Sequence, residues 1–132
     1  MCLIIFNSNS KASNVRIDYG TSEIYSREDM DTAILIIKEN FFKWEGCELR
    51  SIRYTDDDYC NSPENIKWMN TLASGRGYEK NFDQCIAFFS DFHSPATDDH
   101  QTTFNINEEY INWTWYFARS DKGEWQLMTF GY

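Results

Sequence analysis

The chain has 132 residues, of which 21 are Asp or Glu and 12 are Lys or Arg, and its formal net charge is -9. Apolar residues make up 42% and aromatic residues 17%, which favours one globular domain over residues 1–132 and excludes a disordered chain. The acidic balance argues against direct nucleic-acid or anionic-lipid binding, since both attract Lys and Arg. No stretch approaches the roughly 18 apolar residues of a membrane span.

The amino-terminal segment shows no export signal. A short apolar run at residues 3–6 has no basic region before it and no cleavage site after it, so a cytoplasmic location is expected. Secretion or lipid anchoring at Cys2 is the alternative if a leader precedes this sequence. Residues 7–23 are polar and rich in Ser and Asn, which is typical of a loosely packed lead-in segment within the single domain of 1–132.

The four cysteines do not have the spacing of a zinc site. They are Cys2, Cys47, Cys60 and Cys85. In a cytoplasmic protein they are expected to be reduced, with Cys85 acting as a small buried apolar side chain. An extracytoplasmic location would instead allow a Cys47–Cys60 or a Cys60–Cys85 disulfide.

Residues 26–45 are predicted to form a long amphipathic helix. Ser26 and Asp29 form an S-x-x-D capping pattern, and Gly46 supplies a stop. Apolar residues recur at helical spacing and define the buried face. These residues are Met30, Ile34, Ile37, Phe41 and Trp44.

The middle of the chain predicts a strand, a helix and a second strand. Residues 48–55 are typical of a strand that runs into a solvated acidic turn at 56–58. A helix is expected over 63–73, because Ser62 and Pro63 form a typical helix start. Residues 82–93 carry aromatic side chains on both alternating sets, which predicts a central strand covered on both faces. Residues 94–108 form the longest irregular stretch.

The carboxy-terminal third predicts a β-hairpin of residues 110–119 and 124–132. Period-two alternation divides the first strand into two faces. One face holds Ile111, Trp113, Trp115 and Phe117, and the other holds Tyr110, Asn112, Thr114 and Tyr116. In the second strand, one face holds Trp125, Leu127 and Thr129, and the other holds Gln126, Met128 and Phe130. The element order predicts an α+β domain in which the long amphipathic helix packs on a curved antiparallel β-sheet with a C-terminal β-hairpin.

The sequence WTWYFARSDKGEWQLMTFGY at residues 113–132 resembles the last hairpin of an uncharacterised group of small proteins from gut Clostridia (gut Firmicutes). KWEGCEL at 43–49, NIKWMN at 65–70 and SDFHSP at 90–95 resemble earlier segments of that group, so the likeness covers residues 20–132. A helix followed by a meander that ends in G-x-W-x-L is also similar, in a general way, to cystatin-like and NTF2-like domains. The clostridial resemblance implies an export or lipoprotein leader, which this sequence does not show, and no catalytic residues.

Catalysis and metal binding receive little support from the sequence. His93 and His100, near Asp91, Asp98 and Asp99, could ligate a transition metal, with Asp91 and His93 on the same strand face. Acidic loop residues beside a His are, however, more often simply solvated. A nucleophile at Cys85 or Ser90 beside His93 is disfavoured, since Cys85 and Ser90 fall on opposite strand faces. The sequence shows neither a phosphate-binding loop nor an EF-hand pattern. No enzyme activity, cofactor or metal is therefore expected.

Acidic and aromatic side chains predict a protein-binding role. Neighbouring carboxylates would face a partner with a basic surface, although a solvated, solubilising surface is the commoner explanation. Five Trp, eight Tyr and ten Phe exceed what a small core is expected to bury, and exposed Trp and Tyr typically serve recognition. The predicted partner-binding residues are Asp56, Asp57, Asp58, Asp98, Asp99, Tyr110, Trp113, Trp115, Tyr116 and Trp125.

The expected function is that of a non-catalytic acidic binding protein that blocks or sequesters a partner with a basic surface, such as a toxin or a nucleic-acid-processing enzyme. Immunity proteins and the anti-defence inhibitors of mobile elements, including those of the anti-CRISPR type, belong to this class. The main alternative is an extracytoplasmic cystatin-like or NTF2-like domain that binds a small ligand or a peptide. A homodimer formed through the aromatic hairpin, and a hydrolase or isomerase that uses His93 and Asp91, are further alternatives.

Overall fold

The computed structural model describes residues 14–77, 81–96 and 104–132. These residues form a mixed α+β fold with a five-stranded sheet. The elements in chain order are β1 (Arg16–Asp18), α1 (Arg27–Lys43), β2 (Glu48–Tyr54), α2 (Asp57–Cys60), α3 (Pro63–Gly75), β3 (Gln84–His93), β4 (Glu109–Arg119) and β5 (Gln126–Gly131). No helix within the described ranges is long and apolar enough to cross a membrane.

The strands lie in the sheet in their chain order, with β3 in the centre as predicted. Strands β2 to β5 pair antiparallel with their neighbours, whereas β1 pairs parallel with β2. The predicted wholly antiparallel sheet is therefore wrong at this edge. Helix α1 carries the chain back along the sheet between β1 and β2, and such a crossover makes the two strands parallel. The polar segment that was expected to be only a lead-in thus contributes an edge strand.

Helix α1 begins where the capping pattern predicts and ends two residues earlier than expected. The Ser26 hydroxyl accepts from the Asp29 N–H at 3.0 Å, and the Asp29 carboxylate accepts from the Ser26 N–H at 3.0 Å. This reciprocal capping box satisfies two of the free N–H groups at the helix start. The buried face of the helix consists of Met30, Ala33, Ile34, Ile37 and Phe41.

The main core lies between α1 and one face of the sheet. Phe41 of α1 packs edge-on against Phe92 of β3, with ring centroids 5.0 Å apart, and Trp44 stacks on Trp115 of β4 at 5.5 Å. The Trp115 indole N–H donates to the Ser90 hydroxyl at 2.9 Å, so its polar atom is satisfied in the interior. The sheet contributes to this core Leu49, Ile52, Tyr54, Ile86, Phe88, Phe92, Trp115 and Phe117.

A smaller core lies between α3 and the opposite face of the sheet. Helix α3 begins with Ser62 as its cap, whose hydroxyl accepts from the Asn65 N–H at 3.2 Å, and Pro63 follows at the first helical position. The buried residues of this smaller core are Met69, Ala73, Phe82, Cys85, Ala118 and Met128. Strand β3 is therefore covered on both faces near its start, as predicted.

A β-bulge overturns the predicted alternation at the start of β4. Ser90 pairs with Trp113, but Phe92 pairs with Tyr110, so one residue of β3 opposes two of β4. Asn112 absorbs the bulge with a φ of 63°. As a result Tyr110 joins the face of Trp113, and Ile111 is exposed rather than packed.

A second bulge changes which residues of β5 lie on each face of the sheet. Tyr116 pairs with Thr129 and Phe117 pairs with Leu127, which leaves Met128 as the extra residue. Met128 packs under α3, and Phe130 moves to the α1 face, where it lies 4.8 Å from Trp115 between ring centroids. The simple alternation predicted for this strand is therefore wrong beyond Leu127.

The three described cysteines are free thiols in the interior. Burial raises the pKa of the Cys47 thiol to about 11 and also raises the pKa of Cys85. These thiols are therefore protonated at neutral pH and act as small apolar side chains. Cys2 lies outside the described residues.

Two residues of α1 offer a matched test of this packing. Ile37 is fully buried against the sheet, whereas Leu35 is 53% exposed. Ile37→Ala should lower the free energy of unfolding by about 2–5 kcal/mol, because it leaves a cavity in the core. Leu35→Ala should change it by less than about 0.5 kcal/mol. Urea denaturation measures both values, and equal losses would contradict the placement of α1.

Candidate functional site

Six of the fifteen exposed carboxylates among the described residues belong to the region where β1, the start of α1 and α2 meet. We call this surface the acidic edge, and it consists of the exposed carboxylates Asp18, Glu23, Glu28, Asp31, Asp56 and Asp58. Hydrogen bonds hold its parts together: the Tyr19 hydroxyl donates to Asp31, and the Asp57 carboxylate accepts from the Glu23 N–H at 2.8 Å. The chain segment before α1 is thus fastened to both helices that carry the acidic side chains.

The charge of the acidic edge is not neutralised by salt bridges within the described part of the chain. The ion pairs there involve Arg50, Arg53, His93 and Arg119, and none uses a carboxylate of the acidic edge. Arg27 lies close by, but its guanidinium stacks over the Tyr19 ring at 3.8 Å from the centroid. The surface therefore presents a negative potential to solvent.

The three consecutive aspartates have different roles, and they do not form the solvated turn that was predicted. Asp56 caps α2 by accepting from the Tyr59 N–H at 2.7 Å. The Asp57 carboxylate also accepts from the hydroxyls of Ser22 and Tyr54, both at 2.6 Å. Burial tends to raise its pKa, but the hydrogen bonds from Ser22, Tyr54 and Glu23 prevail and lower it. Asp56 and Asp58 face solvent, whereas Asp57 is a structural group.

The predicted partner-binding tryptophans contribute mainly to the core. Trp115 is fully buried, and Trp125 is 8% exposed, with its indole N–H donating to the Asp29 carbonyl at 3.0 Å. Trp115 is therefore not available to a partner, and Trp125 exposes only a small part of its surface. Tyr110 and Trp113 are half-buried around Phe92, on which Tyr110 stacks at 4.8 Å.

Tyr116 points to the opposite face and joins two exposed aromatic residues. We call Tyr59, Trp68 and Tyr116 the aromatic step. The Tyr59 and Tyr116 hydroxyls are hydrogen-bonded, and the Trp68 ring lies 4.8 Å from the Tyr116 ring. Because Tyr59 follows Asp58 directly, the aromatic step adjoins the acidic edge and is separate from Tyr110 and Trp113. Asp98, Asp99 and His100 lie outside the described residues.

His93 and Asp91 belong to a surface network of hydrogen bonds. The two ring nitrogens of His93 bond to Glu109 at 2.6 Å and to Asn107 at 2.8 Å, and Asp91 pairs with Arg53 at 3.1 Å. A hydrolase would need His93 inside a pocket, whereas this network holds it at the surface. Within the described ranges, no group of three or more His, Cys, Asp or Glu side chains is placed to hold a metal ion.

A cleft of about 580 Å³ lies between the start of α1 and the connection from β4 to β5. Arg119 forms its floor and is 5% exposed. Its guanidinium donates to the carboxylate of Asp29 at 3.1 Å and to Gln84 at 2.8 Å, and it stacks over Trp125 at 4.1 Å. The other lining residues are Glu28, Thr32, Ile36, Lys122, Gly123 and Glu124.

The residues predicted from the sequence to bind a partner include only Trp125 of this cleft and only Asp56 and Asp58 of the six carboxylates of the acidic edge. Of the acids at the start of α1, Asp29 entered the sequence prediction as part of the capping pattern. Asp29 and Arg119 are 90 residues apart in sequence, so no local pattern relates them. Comparisons with protein-family models, with curated proteins and with solved structures found no match for this chain.

The structural role of Asp57 can be separated from the charge of its neighbour. Asp57→Asn should lower the free energy of unfolding by about 1–3 kcal/mol, since it weakens bonds to a charged acceptor, whereas Asp58→Asn should change it little. The folded pKa of Asp57 is lowered, so its contribution is present above about pH 4 and is lost as the pH falls through the folded value. Urea denaturation between pH 7 and pH 3 should show a smaller decline for Asp57→Asn than for Asp58→Asn. Parallel pH profiles would contradict this role.

The His93 network predicts a raised histidine pKa. Hydrogen bonds with Asn107 and Glu109 hold the pKa of His93 above its ordinary value of about 6.5. The stabilising contribution is therefore complete below about pH 6.5 and is lost as the pH rises through the folded value. Titration followed by NMR should show the His93 pKa falling in Glu109→Gln. An unchanged pKa in that variant would mean that the contact with Glu109 does not form.

Proposed function

We propose that this protein binds a partner with a basic surface, and blocks or sequesters that partner without catalysing a reaction. The observation that carries the proposal is the acidic edge, whose six exposed carboxylates take part in none of the ion pairs among the described residues. Opposite charge accelerates association with a basic protein and selects against acidic ones.

The aromatic step supplies the apolar contact that charge alone does not provide. Tyr59 is 41% exposed and Trp68 is 39% exposed, and Tyr59 directly follows Asp58 of the acidic edge. Binding energy in protein interfaces concentrates in Trp, Tyr and Arg side chains that become buried on association. A partner that covers both surfaces would bury these rings while pairing its cations with the carboxylates.

The proposed partner class is a toxin or a nucleic-acid-processing enzyme. Such enzymes bind phosphates with surface Lys and Arg, and a dense set of carboxylates competes for the same cations. The proposed role is accordingly that of an immunity protein or an anti-defence inhibitor of the anti-CRISPR type, acting in the cytoplasm. The resemblance to the clostridial group belongs to this proposal and adds no catalytic residue.

The finer architecture is also part of the proposal. We place the domain with cystatin-like or NTF2-like folds that end in a β-hairpin. Support comes from α1 lying across one sheet face and from the antiparallel order of β2 to β5. The parallel edge strand and the two helices between β2 and β3 are additions to that simple plan.

An extracytoplasmic domain that binds a small ligand or a peptide is the second candidate. The observation that favours it is the cleft of about 580 Å³, which lies within the roughly 300–1,000 Å³ of typical ligand pockets. A bound ligand without any protein partner would support this candidate over the inhibitor.

Charge-neutralising variants test the proposed function. The tagged protein is used to capture partners from the cells of origin, with and without the associated toxin or phage genes expressed. The edge variant combines Asp18→Asn, Glu23→Gln and Asp58→Asn. The control variant combines Glu39→Gln, Glu108→Gln and Asp121→Asn, which remove the same charge from exposed positions elsewhere. Asp56 and Asp57 are left intact because both hold α2 in place.

The expected result is a stoichiometric basic protein captured by the wild type and by the control variant, but not by the edge variant. Capture should also fail at about 0.5 M salt, where the Debye length falls to about 4 Å. Capture by all three proteins at both salt concentrations would overturn the acidic edge as the binding surface. Recovery of no protein partner would overturn the function and favour the second candidate.

A further inference from the structure

The cleft and the acidic edge share a residue and form one continuous surface. Glu28 lies in the first turn of α1, where it lines the cleft and also belongs to the acidic edge. A partner that covers Glu28 on the acidic edge therefore lies next to the cleft and can place a side chain in it.

Some charged groups around the cleft are paired within the protein, and others belong to no ion pair among the described residues. Arg119 at the floor is paired with Asp29 and bonded to Gln84, so its charge is balanced within the protein. Glu28 and Glu124 are exposed and belong to none of the ion pairs in the described part of the chain. Lys122 is the one exposed cation among the residues that line the cleft. The groups open to a ligand thus favour a cation.

The remaining walls suit an aliphatic chain. Ile36 of α1 and Trp125, which precedes β5, both line the cleft. Lys and Arg side chains carry an apolar stem of three or four methylene groups that ends in a charged group, and they commonly bury the stem while the charge stays near water. Ile36 and Trp125 match the stem, and Glu28 and Glu124 match the charged end.

We propose that the cleft receives an Arg or Lys side chain of the basic partner, with its stem between Ile36 and Trp125 and its cation between Glu28 and Glu124. This inference rests on the proposed function and names the contact by which the partner is anchored. An Arg side chain that becomes buried in a cleft on association fits the way Arg residues act as anchors in protein complexes. The acidic edge then attracts the partner, and the cleft positions it.

The test uses a defined probe and does not require the natural partner. The probe is the blocked peptide acetyl-Gly-Arg-Gly-amide, titrated into the ¹⁵N-labelled full chain and followed by NMR. The neutral control peptide carries citrulline in place of Arg, and an anionic peptide carries Glu. The protein variants are Glu28→Gln with Glu124→Gln, and the charge-matched control Glu23→Gln with Asp58→Asn, which lies on the acidic edge outside the cleft.

The Arg peptide should shift the amide signals of Lys122, Gly123 and Glu124 and the Trp125 indole signal, with a dissociation constant in the millimolar range that is ordinary for one side chain. The cleft variant should weaken this binding about five-fold, and the control variant less than about two-fold, because exposed charge pairs act at short range. Citrulline and Glu peptides should produce no saturable shifts.

Several results would overturn the inference. Equal binding of the citrulline peptide would show that charge plays no role in binding. Preferential binding of the Glu peptide would show that the cleft binds anions through Arg119 and Lys122. Shifts confined to the acidic edge would exclude the cleft while leaving the proposed function intact. Conversely, saturable Arg binding in the cleft with no protein captured from cells would overturn the proposed function, and the cleft would remain a cation site.

Discussion

The carboxylate of Asp29 is the contact on which the rest of the fold depends most. It caps α1 through Ser26 and neutralises the buried guanidinium of Arg119, while the backbone carbonyl oxygen of Asp29 accepts from the Trp125 indole N–H. Burial tends to raise its pKa, but the bonds from Ser26 and Arg119 prevail and lower it. An unpaired buried cation is costly, so the start of the helix cannot leave the sheet without exposing Arg119. One side chain thus couples the helix cap, the sheet and the floor of the cleft.

Much of the fold could be predicted from the sequence because its signals are local. The capping box at Ser26, the 3.6-residue spacing of α1 and the Ser62-Pro63 start of α3 are patterns within a few residues, and each determines backbone hydrogen bonds nearby. The position of β3 in the centre followed from its apolar residues on both faces. The parallel β1 was missed, since three residues with exposed polar neighbours carry no strand pattern.

The candidate site was harder to predict, for reasons that concern distance along the chain and burial. The bulges at Asn112 and Met128 shift the register by one residue, and period-two alternation has no means of indicating them. Composition suggested surplus aromatic residues, but it could not tell that Trp115 would be enclosed by α1 while Trp68 stays exposed. The cleft arises from pairs such as Asp29 and Arg119, which only the assembled tertiary structure brings together.

The hydrogen bonds that the Asp57 carboxylate accepts determine where the exposed carboxylates around it are held. Strand β1 is held by three residue pairs at the edge of the sheet, and elements with so few contacts open more readily than a core strand. The bonds from Asp57 to Ser22 and Glu23 hold the segment after β1 against α2, and so keep Glu23 beside Asp56 and Asp58. If this segment detached, the mutual repulsion of these carboxylates would be relieved and the local charge density would fall. A single inward-facing carboxylate therefore keeps several like charges close together at the surface, against their mutual repulsion.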